Sequence, residues 1–126
     1  MLKIFLENEG DPNSIITTVN KTPLSSIVAE FGHINTLKLL GHYQADFNLS
    51  DDSGFTPIHV CASKGHLGAL RVLMENGAFI NASTKTGQTP ILEACKYGQF
   101  HILKDLLRYF IYLPVSFTHY PLRGGG

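Results

Sequence analysis

The sequence predicts an all-α fold, a short solenoid of stacked helix pairs joined by hairpin fingers. Three observations carry the prediction. The chain repeats at a period of 33 residues, each repeat holds two short stretches with helical apolar spacing, and polar segments bearing a glycine lie between repeats. Gly32, Gly65 and Gly98 mark the period, Thr56-Pro57 returns as Thr89-Pro90, and Asn48 returns as Asn81. No single unit of this kind buries its own apolar faces, so stability has to come from stacking.

The elements follow in chain order. Residues 1–13 read as half a repeat, because Phe5-Leu6-Glu7-Asn8 through Asp11-Pro12-Asn13 parallels Leu73-Met74-Glu75-Asn76 through Phe79-Ile80-Asn81. Only a second helix is present there, and Leu2, Ile4 and Phe5 are expected to be the weakest part of the core. Repeats are expected over residues 14–47, 48–80 and 81–108. The first is irregular: Asn13 and Asn48 are 35 residues apart, its finger is rich in β-branched residues, Thr22-Pro23 lies one residue out of register, and Ser26 stands near the position of His59. Pro57 and Pro90 suit the first turn of a helix, where a missing N–H costs nothing. The small pairs Val28-Ala29, Cys61-Ala62 and Ala94-Cys95 predict close helix approach, with both cysteines in the core. Gly32, Gly65 and Gly98 end each first helix in a left-handed turn. Each second helix carries an apolar stripe: Ile34, Leu37, Leu40; Leu67, Leu70, Leu73; Phe100, Leu103, Leu106. Ser53-Gly54 and Thr86-Gly87 read as the tight turns of the fingers. Asp105 takes the position of Leu39 and Val72, which is tolerable where nothing stacks beyond it, and residues 109–126 form an aromatic, proline-broken tail outside the repeat.

Laid over one another, GFTPIHVCASKGH, GQTPILEACKYGQ and the looser TPLSSIVAEFGH resemble the ankyrin repeat's T-P-L-H-x-A-A-x-x-G-H, over roughly residues 1–108. The resemblance implies an ankyrin-type helical solenoid with short β-hairpin fingers. It implies that His59 bonds the Thr56 hydroxyl and steadies the finger, and that His33 and His66 cap the turn between helices. It also implies protein binding across the concave face, at the positions that differ between family members: Glu30, Phe31, Asp52, Ser53, Phe55, Ser63, Lys64, Lys85, Thr86, Gln88, Lys96 and Tyr97. Phe55 and Tyr97, aromatic and expected to be exposed, are the leading hot-spot candidates. Asn48 and Asn81 sit where asparaginyl hydroxylases modify similar repeats, Asn48 being the better match. The plainer role is hydrogen bonding to the finger backbone.

Other functions find little support. Ten Lys and Arg balance ten Asp and Glu, so the basic stripe that nucleic acid demands is missing. The apolar run from Tyr109 to Phe117 falls short of the roughly 20 residues of a membrane span, and the N-terminus lacks a signal-peptide pattern. Two cysteines make no disulfide framework, which points to a reducing interior, cytoplasmic or nuclear. No metal cluster, cofactor motif or nucleophile elbow occurs, so neither metal, cofactor nor catalysis is expected. The expected function is a monomeric, non-catalytic module that binds another protein. The alternative is a targeting or adaptor fragment of a larger ankyrin-containing protein whose activity lies elsewhere. Residues 1–63 carry three cations against seven anions and residues 64–126 seven against three, so charge is expected to run along the groove.

Overall fold

The computed structural model of the chain describes residues 10–15 and 21–111. The predicted weak segment around Leu2, Ile4 and Phe5, and the tail beyond Ile111, lie outside the described residues. Six helices are described: α1 (Leu24–Glu30), α2 (Ile34–His42), α3 (Pro57–Lys64), α4 (Leu67–Glu75), α5 (Pro90–Lys96) and α6 (Phe100–Ile111). They form three antiparallel pairs. The inner helices α1, α3 and α5 pack in a row, and α2 packs on α4 behind them. This is the all-helical repeat solenoid that the 33-residue period predicts.

Local chemistry sets the helix starts. Pro57 opens α3, and the His59 ring accepts the Thr56 N–H at 3.1 Å in a capping box. Thr89 caps α5 through its hydroxyl, which accepts the Leu92 N–H at 3.3 Å. In the irregular first repeat the one-residue slip puts Pro23, which has no hydroxyl, at the cap of α1. Nearby, Ser26 Oγ is the one buried side-chain polar atom among the described residues that finds no partner. Both facts mark this repeat as the least well satisfied of the three.

Small residues let the inner helices close up. Ala29, Cys61 and Ala62 are fully buried, and Cys61 Sγ lies 3.9 Å from the Ala29 carbonyl of the preceding repeat. Behind them Leu37, Leu40, Leu70, Leu73, Ile102 and Leu106 are fully buried, each contributing about 1.5–3 kcal/mol relative to exposure. The first residue of each predicted stripe, however, stays at the rim. Ile34 and Phe100 are exposed and Leu67 is half-buried, because the first turn of an outer helix projects past the core. In α6 the fully buried residues are Ile102, at the place of Ala69, and Leu106, while Leu103 of the predicted stripe is half-buried.

Gly65 ends α3 at φ +78°, and the expected left-handed turns occur at Gly32 and Gly98 too. The fingers are tight turns closed by the Gly54 N–H on Asp51 O and the Gly87 N–H on Thr84 O, both 3.0 Å. No β-strand is assigned among the described residues; one isolated antiparallel bridge joins Ile15 and Pro23. Beyond each tip one further backbone bond forms, Asp51 N–H to Phe55 O and Thr84 N–H to Gln88 O, and the chain then enters a helix at Pro57 or Pro90, which leaves no residues to extend a ladder. α6 runs on to Ile111, so the first three residues assigned to the tail are helical.

Candidate functional site

The row of inner-helix ends is held by bonds that repeat with the sequence. His66 Nε2 donates to the Glu30 carbonyl of the preceding repeat at 3.0 Å, and Gln99 Nε2 donates to the Ser63 carbonyl at 3.0 Å. Both donors sit 33 residues apart and so do both acceptors, which places the C-terminal ends of α1, α3 and α5 in one register. His66 therefore does not cap its own inter-helix turn as expected, nor does the His33 side chain. The reason is reach: the ring of His66 lies over Gly32, where a Cβ would stand 2.8 Å from Nδ1, and spends its donor across the repeat boundary.

The fingers are tied to the helices by His59, which is fully buried. Its Nε2 donates to the Gln88 carbonyl at 3.0 Å, while Nδ1 accepts the Thr56 N–H and lies 2.9 Å from the Thr56 hydroxyl. A carbonyl only accepts and a backbone N–H only donates, so these two bonds select the neutral tautomer with the proton on Nε2. Burial lowers its affinity for a second proton below the ordinary imidazole value, opposed by the Gln88 and Ala82 backbone and more weakly by Glu93 and Asp51. The expected bond between His59 and Thr56 is present, with a second anchor in the next repeat. Across the tips, the Lys85 N–H donates to Ser53 O at 3.0 Å.

Glu30, Phe31, Asp52, Lys64, Lys85, Lys96 and Tyr97 are exposed, whereas Phe55, Ser63 and Gln88 are half-buried. Phe55 thus departs from its expected exposure: its ring meets the His59 ring edge-on at 5.6 Å and packs the finger. Phe31 takes its place as an exposed aromatic at 63%, beside Tyr97 at 54%. Lys96 Nζ lies 5.3 Å from the centre of the Tyr97 ring, a cation–π pair. Ser63 Oγ is turned inward onto the Val60 carbonyl at 2.9 Å.

Asn48 is engaged on both ends of its amide. Nδ2 donates to Gly77 O at 3.1 Å and Oδ1 accepts the Phe79 N–H at 2.8 Å, so it clamps the turn that follows α4 at the end of its own repeat. Asn81 is exposed.

No described element packs against the far side of the third pair. Cys95 is exposed rather than in the core, because its counterpart Ala62 is covered by α5 and no described element covers Cys95. A recess of about 340 Å³ lies there, between Ala94, Cys95, Gly98, Gln99, Phe100 and Leu103. Leu92 (48% exposed) and Phe100 (71% exposed) open onto solvent as well. Overlaying the repeats in sequence could have shown this, since Leu92 holds the place of His59. Asp105 is also explained by what precedes it: it accepts from Arg71 Nη2 at 2.9 Å, across the α4–α6 boundary.

The comparison with known families agrees with this geometry. A family model described as ankyrin repeats in three copies matches residues 1–84 and 25–116. The chain belongs to the ankyrin-repeat family. None of the curated proteins compared with the chain matches it. Ankyrin repeats are in general protein–protein interaction modules. Among the described residues of this ankyrin array, no helix is long and apolar enough to cross a membrane, and no three His, Cys, Asp or Glu side chains gather as a metal-holding group.

Proposed function

We propose that this ankyrin array is a non-catalytic module that binds another protein across the row formed by the ends of α1, α3 and α5. One observation carries the reading: Phe31, Lys64 and Tyr97 occupy equivalent positions of successive repeats, and all three are exposed. Aromatic side chains are enriched at protein interfaces relative to the rest of the surface. The test is affinity capture from the native cell with the wild-type chain and with Phe31→Ser plus Tyr97→Ser. Loss of a stoichiometric partner in the variant, with an unchanged melting temperature, is the expected result. Retention of every captured protein would move the contact elsewhere.

The face of α5 and α6 that no described element covers favours a second reading, in which the array is the targeting or adaptor part of a larger ankyrin-containing protein whose activity lies elsewhere. In either case Asn48 serves the structure first: hydroxylation at this residue requires its loop to leave the Gly77 and Phe79 backbone.

A further inference from the structure

The chemistry of the row describes its occupant. Phe31, Lys64 and Tyr97 are 33 residues apart, each following or ending an inner helix, and the His66 and Gln99 bonds hold those helix ends in register. Packed helices lie about 8–10 Å apart, and an extended chain advances about 3.3 Å per residue, so about three residues span one repeat. The surface reads aromatic, cationic, aromatic. Lys64 is exposed, and no acidic side chain lies within ion-pair distance of it among the described residues, where the one ion pair is Arg71 with Asp105. The neighbouring row reads Glu30, Ser63, Lys96. Its middle member carries no charge, and the Ser63 hydroxyl donates its proton to the Val60 carbonyl.

We infer that the groove takes an extended segment of a partner protein with an acidic side chain at its centre and an apolar side chain three residues to either side. This deepens the concave-row reading and rests on it. The central carboxylate pairs with Lys64, and the flanking apolar groups cover the Phe31 and Tyr97 rings. Direction follows from the second row: a basic residue beside the apolar group at Phe31 meets Glu30, and an acidic residue beside the apolar group at Tyr97 meets Lys96. Reversed, the same segment places like charges together, which costs affinity and selects one orientation.

The proposal is tested with two fluorescein-labelled peptides of nine residues, leucines at positions two and eight and serine elsewhere, with aspartate or lysine at the centre. Binding to the full chain is read by fluorescence anisotropy. The aspartate peptide should bind about fivefold more tightly than the lysine peptide at low salt, and Lys64→Glu should invert the preference. Phe31→Ser plus Tyr97→Ser should abolish binding of both, with circular dichroism confirming the fold. Equal affinity for the two peptides overturns the inference, as does a preference unmoved by Lys64→Glu. If neither peptide binds while capture of a partner still depends on Phe31 and Tyr97, the extended-segment inference falls and the groove reading stands.

Discussion

At the residue scale, the glycines that end the inner helices separate two costs usually measured together. Gly65 and Gly98 share a left-handed backbone, φ +78° and +68°. A Cβ on Gly65 would stand 2.5 Å from Gln99 Oε1, whereas one on Gly98 would meet nothing within 4 Å. Gly98→Ala should therefore cost about 1 kcal/mol of backbone strain alone. Gly65→Ala should cost about 2 kcal/mol, because Gln99 must also give up its bond to Ser63 O. Thermal melts of the two variants check the difference, and equal losses would mean that Gln99 yields freely. His59 gives a pH prediction. Its folded-state proton affinity is lowered by burial, so the unfolded chain binds the proton first as pH falls. The stability it contributes is complete above the ordinary imidazole value of about 6.5 and is lost as pH falls through that value toward the lower folded one. The melting temperature should fall between pH 7.5 and 5, and His59→Gln should make that fall shallower.

The elements differ in how they are covered, and the two cysteines report it. Cys61 lies between α1 and α3 with its thiol pushed up to about 12 by burial, while Cys95 on α5 is exposed. Thiolate is the reactive form, so maleimide should label Cys95 in the folded chain and reach Cys61 only on unfolding. Mass spectrometry of the labelled protein distinguishes the sites, and rapid double labelling would contradict the packing of α1 on α3. The outer helices show the same principle in charge. Asp105 would burden α6 if it faced apolar side chains alone, but the guanidinium of Arg71 takes its carboxylate, and Asp105 in turn raises the Arg71 pKa.

For the whole molecule, stability is a sum over repeats and their boundaries. The middle pair α3–α4 has a neighbour on both sides, and α5–α6 has a described neighbour on one. Amide hydrogen exchange should be slowest in α3 and α4 and faster in α5 and α6, where opening breaks a single boundary. Uniform protection across the three pairs would show that the array unfolds only as one block. The bonds from His59, His66 and Gln99 all cross boundaries, so losing one repeat leaves several polar groups of its neighbour without partners.

By itself the sequence determined what depends on local chemistry and periodicity. The prolines at the helix starts and the left-handed glycines were legible because each is set by a few neighbouring residues, and the 33-residue period because it is counted along the chain, while the pairing of His59 with Thr56 came with the ankyrin resemblance. Which positions of successive repeats come level with one another was legible from the period, since equivalent places in a repeat become neighbours in space. Only tertiary structure decided which of those positions face water. Phe55 turned against the His59 ring, Phe31 stayed out, and Cys95 and Phe100 were left uncovered although their sequence positions promised a core. The partners of His66, Gln99 and Asp105 were equally hidden. Each lies in the preceding repeat, 34 to 36 residues away, and its distance depends on how closely small residues let two helices approach. The small pairs foretell that helices approach, but which groups the approach covers or brings into bonding distance depends on the neighbouring repeat, and no local pattern encodes that.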